Sequence, residues 1–265
     1  MRNGTDAARA LLRWYVDAGV DEAVEALPIN RFEAPPETAA APSREARAPA
    51  APVTAIRPSG QPSADEAIAL AARSAAACRT FEELASAVAA FDGCGLKAGA
   101  RKTCFADGVP GASLLVIGEA PGRDEDAVGR PFVGRAGQLL DRMLAAIGRS
   151  RKTDVLISNV VYWRPPGNRT PTQEEIAICR PFVERLIELT APKAVMLAGG
   201  APTQALLGAT GIMRARGQWK AITLASGFKV PALPVFHPAF LLRQPAQKRL
   251  AWADLQMLAV RLRGD

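Results

Sequence analysis

Residues 7–27 place Leu11, Leu12, Tyr15, Val16, Val20, Ala23 and Val24 at three- and four-residue steps, the spacing that lines one face of a helix. An N-terminal amphipathic helix is therefore predicted over 1–27. The periodicity then stops. Over 28–64 the chain is dominated by Pro and Ala (APPETAAAPSREARAPAAP), too poor in bulky apolar residues to order itself, and it reads as an extended linker. A second, Ala-rich helix is predicted from about Ser63, with a break near Arg79 and Thr80. Helix then resumes over Phe81–Ala90, where Thr80 and Glu83 have the spacing of a capping box. No internal repeat is visible.

Beyond residue 110 short apolar runs of strand length alternate with helical stretches. The runs are 113–117 (SLLVI), 155–157, 194–197 (AVML) and 233–236 (LPVF), and helices are predicted at about 136–148, 173–190 and 201–207. Such alternation implies an α/β fold with a parallel sheet and helices on both faces, in a domain spanning 65–265. In sheets of this kind ligands gather beyond the carboxyl ends of the strands, so the residues after each strand carry the functional information.

Composition narrows the chemistry. The 265 residues hold one histidine, His237, which excludes any scheme that needs two imidazoles. Four cysteines, Cys78, Cys94, Cys104 and Cys179, form no CxxC pair, so a zinc site of familiar spacing is not expected. No secretory signal and no apolar run of membrane-spanning length appear, and a cytoplasmic protein with reduced thiols and no membrane partner is expected. The net charge of +7 is unevenly placed. Residues 1–90 carry 9 Lys/Arg against 12 Asp/Glu, and residues 91–265 carry 24 against 14, which makes the front −3 and the back +10. A compact region so basic suits a polyanionic partner, nucleic acid being the commonest, although a merely basic surface gives the same count.

Three strand ends present polar groups. The first opens into Gly118, Glu119 and Ala120, then Glu125 and Phe132, framed by glycines and Pro121 that let backbone approach a ligand closely. The glycine spacing is not that of a P-loop, and the same features also describe a solvated surface loop. After the second strand comes Asn159, whose amide both donates and accepts, as needed to read one edge of a base; it could equally cap the following turn. Arg164 and Arg169 follow on a proline-stiffened loop suited to phosphate. The last strand stops at His237, just before Pro238, and the triplet Phe240, Leu241 and Leu242 is either core or an exposed wedge for a base stack.

Read together, GEAPGRDEDAVGRPFVGRAGQLLDRML, NVVYWRPPGNRTPTQEEIAIC and HPAFLLR resemble, in order and spacing, the signatures of the family-4 uracil-DNA glycosylases, over residues 91–263. The resemblance implies a three-layer α/β/α fold of the uracil-DNA-glycosylase type, with a central, mainly parallel sheet and a uracil pocket at the strand ends. It implies a DNA-repair hydrolase of base excision repair, which flips uracil from DNA and cleaves its glycosidic bond to leave an abasic site. Glu119, Glu125 and His237 would then be catalytic, and Gly118, Ala120, Phe132 and Asn159 would bind the base. Arg164, Arg169, Leu241, Leu242 and Arg243 would contact DNA. A glycosylase for hypoxanthine or xanthine, or a catalytically silent DNA-binding repair module, are the alternative readings.

The family usually holds a four-iron, four-sulfur cluster, with a CxxC ahead of the first signature, a cysteine inside the second and another about fifteen residues on. Here Cys94 and Cys179 occupy two of the four positions, while Phe91 and Trp163 occupy the others. Cys104, ten residues after Cys94, has the wrong spacing. The cluster is therefore expected to be lost, no metal being needed for the chemistry. A monomer is expected, with residues 1–64 either tethering a repair or replication partner or serving as a dispensable extension.

Overall fold

Reciprocal caps open the first helices of the computed structural model, which describes residues 63–263. Ser63 Oγ accepts the Glu66 N–H at 3.3 Å while the Glu66 carboxylate accepts the Ser63 N–H at 2.7 Å, which starts α1 (Ala64–Ala77). Thr80 and Glu83 exchange the same pair of bonds at the start of α2 (Phe81–Ala90), as their spacing predicts. The helix expected over 7–27 and all but the end of the 28–64 linker lie outside the described residues.

The sheet has six strands: β1 (Ala106–Gly108), β2 (Leu114–Gly118), β3 (Val155–Asn159), β4 (Ala194–Ala198), β5 (Lys220–Thr223) and β6 (Lys229–Val235). Their order is β1-β3-β2-β4-β6-β5. The inner four, β3, β2, β4 and β6, run parallel, and short antiparallel strands close both edges. The chain thus builds a mainly parallel sheet, with two edge strands that the apolar pattern does not reveal. Three residues of β1 and the KAIT of β5, exposed except at Ile222, carry too little apolar content to register. Strand β6 starts four residues earlier than the sequence suggests, because Pro231 and Pro234 disguise it.

Both faces of the inner strands are covered, which is why they read as unbroken apolar runs. Leu115, Ile117, Leu156, Val195 and Leu197 face one core together with residues of α1, α2 and the long helix α5 (Gln173–Thr190). Their neighbours Leu114, Val116, Val155, Ile157 and Met196 face a second core with α4 (Arg135–Ala145), α8 (Pro238–Arg243) and α9 (Lys248–Arg263). The period of two along each strand therefore sorts side chains into two cores, giving three layers. The short helices α3 (Arg123–Val128), α6 (Gly200–Leu207) and α7 (Ile212–Ala215) complete the set. Among the described residues no helix is long and apolar enough to cross a membrane.

Candidate active site

The carboxyl ends of β2, β3, β4 and β6 lie side by side, and the register that pairs Gly118 with Asn159 brings the first two loops together. A cavity of about 490 Å³ opens there, lined by Glu119, Ala120, Glu125, Phe132, His237 and Arg243, together with Arg169 and Thr170. Residues expected from three separate strand ends thus share one hollow.

Glycine makes the convergence possible. A Cβ on Gly118 would lie 2.5 Å from Asn159 Oδ1 and 2.5 Å from the Phe132 ring atoms Cε2 and Cζ, closer than any side chain tolerates. Its absence leaves room beside Gly118 for both the Asn159 amide and the Phe132 ring; Asn159 itself is not among the residues that line the cavity. Asn159 is 1% exposed and its Oδ1 has no hydrogen-bond partner. A buried acceptor left unpaired costs about 1–3 kcal/mol, which a ligand N–H would offset. Phe132 itself sits at φ 54, the left-handed region that non-glycine residues rarely adopt.

His237 lies two residues beyond the end of β6 and caps α8. Its Nδ1 accepts the Ala239 N–H at 3.1 Å. A neutral imidazole carries one proton, so this bond places it on Nε2, which takes no acceptor among the described residues. Burial, and secondarily the nearby Arg243 charge, push the imidazole down to about 4 against the opposing pull of Glu125. It is therefore neutral at pH 7. Gly199, at φ +105 after β4, leaves room for the His237 Cβ, 3.2 Å from where its own Cβ would stand. The Phe132 and His237 rings lie 5.5 Å apart at 30°.

Glu119 also lines the cavity, where burial raises its carboxyl above the ordinary value against a hydrogen bond from Thr170 that lowers it. Glu125 is placed differently from a free second acid. Its Oε1 accepts the N–H groups of Val133 and Gly134, both at 2.9 Å, and its Oε2 accepts the Gly122 N–H at 3.1 Å. One oxygen thus fastens the loop that carries Phe132, and the other closes the start of its own helix α3.

The expected DNA contacts divide. Arg243 lines the cavity, and Arg164 borders an adjoining hollow of about 410 Å³ with Arg123 and Arg135. Arg169 reaches the cavity wall, but Glu175 holds its guanidinium through two bonds of 2.8 and 2.6 Å. Leu241 is a correction: it is 1% exposed, in the core that also holds Leu255 and Leu258 of α9, so it does not stand out as a wedge. Leu242 is partly buried against the same core. Several contributors escaped the sequence, among them Thr170, Ala136, Asn168 and Ala239 in the lining and, behind the site, Arg151. The last lies in a charged turn (RSRKTD) indistinguishable in sequence from a solvated one.

The cluster positions lie away from the cavity. Cys94 and Cys179 hydrogen-bond to each other; that bond, then burial, holds the Cys179 thiol well above its usual value. Phe91 stacks near Trp163 at 6.5 Å and 26°, and meets Phe182 edge-on at 5.1 Å. Trp163 Nε1 donates to Thr103 Oγ1 at 3.0 Å. Two thiols and two aromatic rings do not fit a cluster that needs four thiolates. Among the described residues no three His, Cys, Asp or Glu side chains come together as metal ligands.

Residues 105–256 match the family model of the uracil DNA glycosylase superfamily. The type-4 uracil-DNA glycosylase of Archaeoglobus fulgidus is 41% identical over 164 residues, 59% of this chain and 81% of that protein. Those of Sulfurisphaera tokodaii and Thermotoga maritima are 35% and 39% identical, over 71% and 74% of their lengths and 57% and 54% of this chain. The chain belongs to the type-4 uracil-DNA glycosylases. For a type-4 uracil-DNA glycosylase the hollow at the strand ends is the feature to be explained, and Phe91 and Trp163 lie in the other core from Phe132.

Proposed function

We propose that the pocket takes uracil flipped out of DNA, with Asn159 reading its edge and Phe132 covering one face. Membership of the family makes the chain a DNA-repair hydrolase that excises uracil, and the readings as a hypoxanthine or xanthine glycosylase or a silent module are not favoured. The observation that carries the pocket assignment is the unpartnered Oδ1 of Asn159, buried beside Phe132. An acceptor fixed there matches the N3–H of uracil, whereas cytosine offers a bare N3 at that position. A base sandwiched between two rings needs about 7 Å between them at van der Waals contact. The 5.5 Å between Phe132 and His237 therefore favours a base stacked on one ring and met edge-on by the other.

Cleavage breaks the bond between C1′ and the uracil nitrogen. The electron pair leaves with the base, and the sugar gains cationic character. A neutral Nε2–H of His237 directed at a uracil oxygen stabilises the departing anion without having to surrender its proton. Burial raises the proton affinity of the Glu119 carboxylate, which suits it to orient the attacking water, to take its proton as oxygen bonds to C1′, and to offset the sugar cation. Glu125 acts by holding the loop. Arg243 and Arg164 are assigned to flanking phosphates, aided by the basic balance of residues 91–265.

The scheme needs no metal. Phe91, Trp163 and Phe182 pack where cluster ligands would stand, and this supports a protein that folds without the cluster. Purified, tag-free protein is expected to hold no stoichiometric iron and to lack a broad absorbance near ~400 nm; one cluster's worth of iron per chain would overturn that assignment. The activity itself is tested by assaying free base released from U·G, U·A, single-stranded uracil and inosine substrates. Uracil is expected, with the inosine substrate left intact; release of hypoxanthine instead would reassign the pocket.

A further inference from the structure

We infer that Arg151 is a positioning residue for the reaction, holding Phe132 in the conformation that meets the base; this rests on the reading that Phe132 stacks on uracil. Left-handed backbone at a bulky residue costs on the order of 1–3 kcal/mol and persists only where its surroundings impose it. Here they impose it from both sides. Arg151 Nη2 donates to the Phe132 carbonyl at 2.8 Å and Nη1 to the Pro131 carbonyl at 3.2 Å. Glu125 takes the next two N–H groups, those of Val133 and Gly134. The peptide groups on either side of the strained residue are thus pinned by opposite charges.

The guanidinium is itself fixed. Asp107 on β1 accepts from Nη1 at 2.9 Å and Asp141 on α4 from Nε at 2.7 Å, and the side chain is only 14% exposed. Four of its five N–H donors are taken by these bonds and the side chain is largely enclosed, so its geometry is set by protein partners rather than by a DNA phosphate. Gly137 on α4 completes the seat, because a Cβ there would lie 1.8 Å from the Phe132 oxygen. A lysine would keep the charge but could not span two carbonyls and two carboxylates with one nitrogen, since the planar fork sets the geometry.

Tying β1 to α4 would alone account for the ion pairs, so the test must separate positioning from stability. Steady-state kinetics and inhibition by free uracil are measured for Arg151→Lys, Phe132→Ala and the double variant. Each single change is expected to lower kcat/KM by about tenfold, the scale of one lost base–aromatic stack, and to weaken inhibition by uracil. The double variant is expected to be no worse than Phe132→Ala, since both act through the same ring. Losses that multiply in the double variant, or unchanged uracil inhibition in Arg151→Lys, would overturn the inference while leaving the stacking role intact. Full activity in Phe132→Ala would overturn the stacking reading instead. Should Arg151→Lys lose its fold by circular dichroism, Asp141→Ala, which removes the acceptor on Nε, is read in its place. The same non-additivity is expected, and an additive loss or none would overturn the inference.

Discussion

Replacing His237 by alanine is expected to lower kcat for uracil release by about 10²–10³-fold, the usual effect of removing one donor aimed at a developing negative charge. KM should change little, because the uracil oxygen carries most of its charge only as the bond breaks. Single-turnover kinetics on a uracil-containing duplex check both statements, and equal losses in binding and turnover would contradict them. The pH dependence gives a second handle. With the imidazole pushed down to about 4, it stays neutral across the range in which an ordinary histidine would titrate. Between its ordinary value near 6.5 and about 4, the unfolded chain takes up a proton that the folded chain refuses. The histidine's contribution to stability is therefore fully present above 6.5 and lost as pH falls through that window. Activity should show no acid limb at the ordinary histidine value. Any limb above the usual carboxylate range belongs to Glu119, raised by burial, and should vanish in Glu119→Gln.

Gly118→Ala is expected to cost about 10²-fold in kcat/KM, the scale on which small misplacements of reacting partners are felt. The added methyl would fall 2.5 Å from both Asn159 Oδ1 and the Phe132 ring, so both base-reading groups must move. The atoms displaced are side-chain atoms, and β2 keeps its pairing with β3 and β4, so circular dichroism and melting temperature should change far less than activity. A variant with normal kcat/KM would show that the amide and the ring need not meet at that point.

Much of this is legible in the sequence because the residues concerned are placed by local rules. The inner strands are buried on both faces and read as apolar runs, and Ser63, Thr80 and Thr172 each cap the helix that follows through a glutamate three residues on. Asn159 closes β3, and Glu119 and His237 come just after β2 and β6, so the strand order sets where they lie. What stayed hidden depends on distant partners. Glu125 looks like a free acid until the amides of Val133 and Gly134 fold back over it. Arg151 gains its role from Asp107, 44 residues earlier, and from Asp141 on the preceding helix. Leu241 and Leu242 differ by one residue on a short helix, and only the turn of α8 decides that Leu241 faces the core. The two thiols and two rings at the cluster positions are visible in sequence, but their packing as an aromatic plug needs Phe182 from α5.

The central claim is a neutral imidazole with its proton on Nε2, free to donate into the base pocket. The chain holds a single histidine, so nitrogen-detected NMR of tag-free, isotopically labelled protein reports on that one ring without assignment. The spectrum should show the neutral Nε2–H form at pH 7, persisting until the pH approaches about 4. A proton on Nδ1, or titration at the ordinary histidine value near 6.5, would contradict it.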